Sequence, residues 1–299
     1  MASFPRRRRS APPLDVEFQT RINDNGRVQD ITASFEANRS RLQGVAYRML
    51  GSLAEAEDAV QEAWLKASRA ESEAVENLDG WLTTIVSRVC LDVLRARKAR
   101  KEDLGSEAEV RSPTDPEREN TLADAVGIAL LVVLRQLDPA ERIAFVLHDT
   151  VGMPFEEIAP IVDRTVEATR QLASRARRQV RGTRTDDASP DREVVAAFLG
   201  ALRSADYAGL IAVLDPDVRV RMGDKINRGA ENWAKNATQF SKAAGAVVLA
   251  LVDGRPALLF APRGKLIRVI TFVVEGPRIV EAEIVTDRAR LDAFAIALA

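Results

Sequence analysis

Apolar residues recur at helical spacing in the first third of the chain. Side chains at positions i, i+3, i+4 and i+7 lie on one face of a helix, which predicts two amphipathic helices. The spacing occurs at Leu42, Val45, Ala46 and Met49, and again at Val60, Ala63, Trp64 and Ala67. A break at Gly51-Ser52 separates these helices, and a third is predicted from about Trp81 to about Lys101. We therefore predict a helical unit over residues 31–101, after a flexible tail over residues 1–30.

The helical period is lost over residues 102–120 and then returns. Those residues are rich in acids and proline, which predicts a linker before a second helical unit at residues 121–183. Asp138-Pro139-Ala140-Glu141 predicts a helix start, because Asp caps free amides, Pro suits the first position and Glu completes a capping box. Two further helices are predicted at 155–162 and 166–180, with a tight turn between them. This helix-turn-helix layout is common in DNA-binding proteins.

Alternating apolar residues follow a second predicted linker at residues 184–190. Val194 and Phe198 continue the helical spacing, and alternation begins at Val218. Strands are predicted at residues 218–222, 246–252, 257–261, 266–274 and 279–285. A helix followed by a series of strands predicts an α+β domain over residues 191–299.

The composition is typical of a folded globular protein, with 46% hydrophobic and 29% charged residues. The net charge of −1 hides local patches, and phosphate binding needs Lys and Arg gathered on one surface. Cys90 and His148 are the only residues of their types, so one chain can form neither a disulfide nor a Cys/His zinc site, and no metal or cofactor is expected. No apolar run suits a membrane span or a secretory signal, which favours a cytoplasmic protein without membrane contact.

The second helix of the helix-turn-helix has two different faces. Its predicted core face is Val166, Thr169, Ala173, Ala176 and Val180, and outside that face lie Glu167, Arg170, Gln171, Ser174, Arg175 and Arg178. Arg and Gln can read base edges with two hydrogen bonds, and further arginines can hold phosphates. A solvated helix face is the alternative. It would mix acids and bases, whereas almost all charges after Glu167 are arginines.

A second basic patch lies on the helix predicted to begin near Trp81. It comprises Arg88, Arg95, Arg97, Lys98, Arg100 and Lys101. Basic residues at a helix C-terminus also complement the helix dipole, so a purely structural role stays open. The polar loop before Trp81 could hold an unstacked base of single-stranded DNA.

An acidic face is predicted on the helix that contains Trp64. Its members are Glu55, Glu57, Asp58, Gln61 and Glu62. Because acids repel phosphate, this face should point away from DNA, either toward water or toward a basic protein partner.

Several of these segments resemble region 2 and region 4 of the extracytoplasmic-function sigma factors. Glu57–Trp64 (EDAVQEAW), Gly80–Thr83 (GWLT) and Arg88–Asp92 (RVCLD) are similar to region 2, and Leu137–Arg142 (LDPAER) with Gln171–Arg177 (QLASRAR) is similar to region 4. The C-terminal part resembles the SnoaL-like, NTF2-like domain that is fused to one branch of the family. The resemblance implies a multidomain protein, with two all-α sigma domains followed by an α+β NTF2-like cone. It also implies a transcription-initiation factor that binds core RNA polymerase and promoter DNA and is not an enzyme.

The resemblance also implies three sets of binding residues. Those expected to contact polymerase are Asp58, Gln61, Glu62 and Leu65. Those expected at the −10 element are Asn77, Trp81, Arg88, Asp92 and Arg95, around a loop from about Glu71 to Gly80 that would capture a flipped base. Those expected in the −35 major groove are Thr165, Glu167, Ala168, Arg170, Gln171, Ser174 and Arg175. No catalytic residue is implied.

Three features depart from the family pattern. Pro160 lies inside the first helix of the helix-turn-helix, where it removes a backbone hydrogen bond and is expected to kink the helix. The linker lacks the Trp-Leu-Pro-Glu-Pro motif of this branch. The glycine-rich lysine motif of the C-terminal domain is reduced to Met222–Lys225 (MGDK).

The C-terminal domain is expected to be regulatory, through a small-molecule ligand or through an intramolecular contact with the sigma domains. Its aromatic residues Trp233, Phe240, Phe260 and Phe272 are expected in the core. Two other functions stay open. A repressor that binds operator DNA as a dimer would use the same helix-turn-helix, and an isomerase or cyclase would use Asp217 or Asp224 as a base with Tyr207.

Overall fold

A computed structural model describes residues 27–69, 77–104, 127–182 and 189–299. The first helical group contains α1 (Arg27–Leu50), α2 (Leu53–Ala67) and α3 (Leu78–Leu104). These helices pack around buried side chains that include Phe35, Tyr47 and Leu82. The predicted helical unit is therefore present.

Both outer limits of this group differ from the sequence prediction. Helix α1 begins at Arg27, so the last residues of the predicted tail are helical, and residues 1–26 lie outside the described part. Helix α3 begins at Leu78 because the side-chain oxygen of Asn77 accepts a hydrogen bond from the Gly80 amide at 3.0 Å. It continues to Leu104, into the predicted linker, whose remainder lies outside the described residues.

The second helical group contains four α-helices and a short π-helical turn. They are α4 (Ile128–Gln136), α5 (Pro139–Phe145), the π turn (Val146–Thr150), α6 (Phe155–Val162) and α7 (Val166–Arg181). The predicted Asp138 cap is confirmed, since its carboxylate accepts a hydrogen bond from the Ala140 amide at 3.3 Å, whereas the Glu141 carboxylate pairs with Arg175 instead of completing the predicted capping box. The predicted helix-turn-helix is also present. Helix α6 continues through Pro160 to Val162, so the proline removes one backbone bond without ending the helix.

The C-terminal part is a mixed sheet with helices, as the alternation predicted. It contains α8 (Pro190–Arg203), α9 (Tyr207–Val213), β1 (Leu214–Met222), β2 (Lys225–Arg228), α10 (Ala230–Phe240), β3 (Val247–Val252), β4 (Arg255–Phe260), β5 (Arg268–Glu275), β6 (Arg278–Val285), α11 (Arg288–Ala293) and β7 (Ile296–Leu298). The seven strands run in the order β2-β1-β6-β5-β4-β3-β7. Only the β1–β6 pair is parallel among these described strands.

The sheet buries both of its faces. On one face, Leu258 and Phe272 join a core with Phe198 of α8 and Trp233 of α10. On the other face, Leu259 joins the buried cluster of the helical groups, which we call the shared core and which includes residues of α1 to α7. Successive side chains of a strand point to opposite faces, so β4 supplies both cores.

The end of the chain is fixed to the second helical group by the side chain of Gln136. Its amide nitrogen donates to the carbonyl of Phe294 at 2.9 Å, and its amide oxygen accepts from the Ile296 amide at 3.1 Å. The Gln136 amide group thereby takes the place of a backbone peptide group as a hydrogen-bond partner next to β7. Helices α4 and α7 both contact β7.

Three arginines converge on the C-terminus of α1. Arg142 donates to the Met49 carbonyl at 2.9 Å, Arg97 donates to the Leu50 carbonyl at 3.3 Å, and Arg135 donates to the Gly51 carbonyl. The last carbonyls of a helix have no partner within the helix and form the negative end of its dipole, so cations stabilise them. Since Arg135 and Arg142 belong to α4 and α5, these bonds join the two helical groups.

The Arg142 side chain is the most buried of the three, with 5% of its surface exposed. Burial, followed by the charges of Arg97 and Arg135, lowers the pKa of Arg142 to about 9, and Asp138 acts in the opposite direction. This pKa is still above neutral, so the guanidinium stays charged at pH 7. A buried cation is tolerated here because it is bonded to a helix carbonyl and lies near an acid.

We predict that Gly51→Ala destabilises the protein more than Gly152→Ala does. Both glycines have positive φ, +72° and +81°, so either alanine costs about 1–2 kcal/mol in left-handed strain. An added Cβ at Gly51 would lie 2.7 Å from Nε of Arg135, whereas nothing lies within 4 Å at Gly152. The displaced arginine should add about 1–3 kcal/mol to the loss. Equal losses in denaturant unfolding would show that the Arg135 contact contributes little.

Candidate nucleic-acid interface

The N-terminus of α7 is fixed by Thr165. Its hydroxyl accepts a hydrogen bond from the Ala168 amide at 3.2 Å, and its carbonyl accepts one from the Thr169 hydroxyl at 2.9 Å. The helix buries Thr169, Leu172, Ala173, Ala176 and Val180. Val166 is only half-buried, and Leu172, absent from the predicted core face, takes part in the core because it lies between Thr169 and Ala176 on the helix surface.

The predicted reading residues of α7 lie on its outer face. The exposed ones are Thr165, Glu167, Arg170, Gln171, Ser174 and Arg175, and Ala168 is half-buried. The face is therefore accessible along about three turns, the length of helix that a major groove can accept.

The arginines of this face are paired with acids from neighbouring helices. Arg170 lies 3.0 Å from a carboxylate oxygen of Glu156 on α6, and Arg175 lies 2.7 Å from one of Glu141 on α5. Arg177, at the side of the face, lies 2.6 Å from Asp149. An exposed pair such as Arg170–Glu156 contributes at most about 1 kcal/mol, so a phosphate or a base can replace that acid at low cost, whereas the acids of the other two pairs are partly buried.

A second exposed face lies on α3. Arg88, Asp92 and Arg95 follow one another at helical spacing and are all exposed. Arg95 also donates to the Val162 carbonyl at the end of α6, at 3.5 Å. The α3 face and the helix-turn-helix therefore contact each other directly.

The predicted base-capturing loop is shorter than expected on its C-terminal side. Leu78, Asp79 and Gly80 belong to α3, and Asn77 is its capping residue rather than a loop residue. Trp81 lies in the first turn, half-buried against the shared core. Residues 70–76, which contain the rest of the predicted loop, lie outside the described part.

The second basic patch is smaller than the sequence predicted. Arg97 pairs with Glu55 at 2.5 Å, and Lys98 pairs with Asp138 at 2.6 Å. Arg97 and Lys98 are therefore directed toward α2 and the start of α5, and they join helices within the protein. Arg88, Arg95, Lys98 and Arg100 remain exposed, and the side chain of Lys101 is not among those described.

Helix α2 presents an acidic face that also carries one apolar residue. Asp58, Gln61, Glu62 and Leu65 are exposed, and Leu65 has 42% of its surface accessible. Glu55, predicted on the same face, is half-buried beside Arg97 because it lies toward α3. The exposed acidic face is therefore narrower than predicted and points away from the shared core.

A cavity of about 280 Å³ lies in the C-terminal part, between the sheet and helices α8 and α10. Trp233 and Phe272 are buried in the core as predicted, whereas Phe240 and Phe260 are only partly buried. Trp233, Phe240 and Phe260 also line the cavity. The catalytic candidates Asp217, Asp224 and Tyr207 are exposed and are not among the residues that line the cavity.

The described residues contain no cluster of three or more side chains that could hold a metal ion. Cys90 is fully buried, and burial together with the charge of Glu55 raises the pKa of its thiol. Within the described ranges, none of the helices combines the length and apolarity required to cross a bilayer.

Comparison with known proteins identifies two regions that match family models. The family model for sigma-70 region 2 matches residues 34–100, and that for sigma-70 region 4 matches residues 128–180. A protein of Mycobacterium tuberculosis described as probable ECF RNA polymerase sigma factor SigI is 33% identical over 276 residues, which cover 88% of this chain and 95% of that protein.

A second relative from the same species, ECF RNA polymerase sigma factor SigJ, is 39% identical over 196 residues, which cover 62% of each chain. The crystal structure of SigJ aligns with 87% of this chain at 30% identity and covers 98% of the SigJ chain, with a TM-score of 0.43. The two family matches coincide with the two helical groups. The exposed faces of α2 and α3 lie in the first match, and that of α7 lies in the second.

Proposed function

The chain belongs to the ECF RNA polymerase sigma factors, and we propose that it uses three exposed helix faces to bring core polymerase to promoters. The observation that carries this proposal is that α2, α3 and α7 each expose the residues expected for one contact, on two regions that occur in the family order. Polymerase performs the chemistry, so the chain itself needs no catalytic residue.

Helix α7 is proposed to read the −35 element in the major groove. Arg170 and Gln171 have the side chains that make paired hydrogen bonds to guanine and adenine edges. Glu167 can accept from cytosine, and Thr165, Ala168, Ser174 and Arg175 complete the same face. Arg178 and Arg181, further along the helix, are placed to hold phosphates and so to set the register.

Helix α3 is proposed to contact the −10 element. Arg88 and Arg95 supply positive charge beside the opening strand, with Asp92 between them. Trp81 stands at the start of the helix, and an aromatic ring there can stack on an unpaired base. The Asn77 oxygen is occupied by capping, which leaves its amide group to donate to DNA.

Helix α2 is proposed to bind core polymerase. Its exposed face combines the charges of Asp58 and Glu62 with the apolar side chain of Leu65. Such a face has the composition of an interface whose centre is apolar and whose surrounding charges direct a basic partner. It would repel DNA phosphates, which favours a protein partner over nucleic acid.

The two readers must separate when both promoter elements are bound. The elements are centred about 25 base pairs apart, and at about 3.4 Å per base pair this distance is about 85 Å of duplex. Here α3 touches α6 through Arg95 and Val162, so the readers lie side by side. We propose that this closed arrangement opens on binding polymerase, by breaking the bonds of Arg135 and Arg142 to the end of α1.

The C-terminal part is proposed to be a regulatory NTF2-like domain. It packs against α4 and α7, the first and last helices of the region 4 match, through the shared core and Gln136. This is the intramolecular contact expected of a domain that controls how region 4 is presented.

The proposed function is tested by transcription from a cognate promoter with purified core polymerase. We expect Leu65→Ala to weaken core binding about tenfold, because it removes the apolar centre of the α2 face. Val273→Ala is a matched control, since Val273 is also exposed, at 45%, but lies on β5. If the native chain fails to bind core polymerase at all, the proposed function is wrong.

The −35 assignment predicts different losses for two arginines of α7. Arg170→Ala should lower promoter affinity by about 1–3 kcal/mol and relax preference at one base pair, because Arg170 is placed to read a base. Arg181→Ala should weaken binding to all sequences equally and lower the salt slope by about 1, because it is placed at phosphates. Arg278→Ala on β6 is the control for charge. Identical effects of Arg170→Ala on matched and mismatched −35 sequences would contradict the assignment.

We predict that Gln136→Ala loosens the end of the C-terminal domain. The substitution leaves the Phe294 carbonyl and the Ile296 amide without a partner, which costs about 1–3 kcal/mol locally. Hydrogen exchange at β7 should therefore become about tenfold faster or more. Gln179→Ala, at an exposed position of the same region, should leave exchange at β7 unchanged. Unaltered exchange in both variants would show that Gln136 does not fix β7.

A further inference from the structure

The cavity in the C-terminal part is walled mainly by apolar side chains. Phe198 and Trp233 border it from the helices, and Phe260 and Ile270 border it from the sheet. Its volume of about 280 Å³ is near the lower end of the range of small-molecule sites, about 300–1,000 Å³. The cavity therefore fits a compact molecule with a largely apolar body.

Arg268 is the one charged side chain among the residues that line this cavity. It lies at the start of β5, opposite Phe260 of β4, and its guanidinium carbon is 5.5 Å from the centre of the Phe240 ring. Phe240 packs edge-on against Phe260, with ring centres 5.1 Å apart. Phe240, which packs on Phe260, thus places its ring beside the guanidinium at the apolar wall.

None of the described acids forms an ion pair with the guanidinium of Arg268. Its Nε is buried without a hydrogen-bond partner. A buried donor left unsatisfied costs about 1–3 kcal/mol, and more when it is charged. An anionic ligand group that accepts a hydrogen bond from this Nε would therefore remove this free-energy cost.

The cavity chemistry distinguishes between anions. A guanidinium pairs with a carboxylate through two parallel hydrogen bonds, which a single arginine is sufficient to make. No lysine and no second arginine line the cavity to share the larger charge of a phosphate. The other polar lining residues are the exposed amides of Asn227, Asn232 and Asn236, which offer hydrogen bonds without charge.

We propose that this cavity binds a small amphipathic monocarboxylate, with its carboxylate on Arg268 and its apolar body among the aromatic rings. None of the lining residues belongs to the α2, α3 or α7 faces, so binding here is separate from the contacts with polymerase and DNA. The proposal thus goes beyond promoter recognition and can fail without affecting it.

Calorimetric titration of the full-length protein with acids and their matched amides tests this site. The probes are 3-phenylpropionate and octanoate, each compared with its amide, which has the same shape but no charge. We expect the native chain to bind at least one acid about tenfold more tightly than its amide, because a hydrogen bond to a charged group contributes about 1.5–3 kcal/mol. Arg268→Gln should abolish this preference and leave amide binding unchanged.

Two further variants separate the role of Arg268 from effects on folding. Arg255→Gln, at an exposed position of the neighbouring strand β4, should retain the full preference for the acid. Arg268→Lys keeps the positive charge but lacks the planar guanidinium fork, so it should retain only part of the preference for the acid. Equal binding of acid and amide to the native chain, binding of neither, or a preference that persists in Arg268→Gln would each overturn the proposal. If Arg268→Gln fails to fold, the affinities of the native chain and of Arg268→Lys for each acid and its amide decide whether Arg268 binds the carboxylate.

Discussion

The arrangement of the helices depends on how the C-terminus of α1 is satisfied. Its last carbonyls would otherwise point into the interface without donors, and three arginines from three different helices supply them. Arg97 comes from the same helical group, whereas Arg135 and Arg142 come from the other. The Met49 and Gly51 carbonyls therefore receive their arginine donors only when region 2 and region 4 are in contact, which makes that contact specific. The proposed opening on polymerase would have to replace the bonds of Arg135 and Arg142.

The sheet extends this dependence to the C-terminal domain. Strand β4 directs Leu259 into the shared core and Leu258 and Phe260 toward the domain's own core and cavity. Region 4 thus rests on one side of a strand whose other side borders the cavity. The arginines proposed to read DNA, by contrast, pair with acids at the surface, of which Glu156 is exposed and Glu141 is partly buried. The buried contacts of the core are thus separate from the surface ion pairs of α7, so the face proposed to bind DNA can exchange its partners while the core persists.

Much of the fold could be predicted because its signals are local. The helix-turn-helix was located to within one residue, because apolar spacing marks the buried faces of both helices and a tight turn separates them. Other local signals were missed: Asn77 caps α3 three residues before Gly80, a spacing that could have moved the predicted start from Trp81. Strands β2 and β7 have four and three residues, too short for alternation to show. Their pairing is decided by neighbouring strands.

The resemblance to the family added Leu65; the sequence pattern alone determined which faces are chemically fit to bind, namely the acids on α2 and the arginines with glutamine on α7. It did so because the helical period assigns each residue to a face, and side-chain type limits what that face can contact. Only the tertiary structure decided which charged residues remain available. The sequence placed Arg97 and Lys98 in one basic patch with Arg95, yet Arg97 pairs with Glu55 and Lys98 pairs with Asp138. The role proposed for Arg268 likewise depends on the cavity around it. These outcomes depend on distances between residues far apart in the chain, which no local pattern encodes.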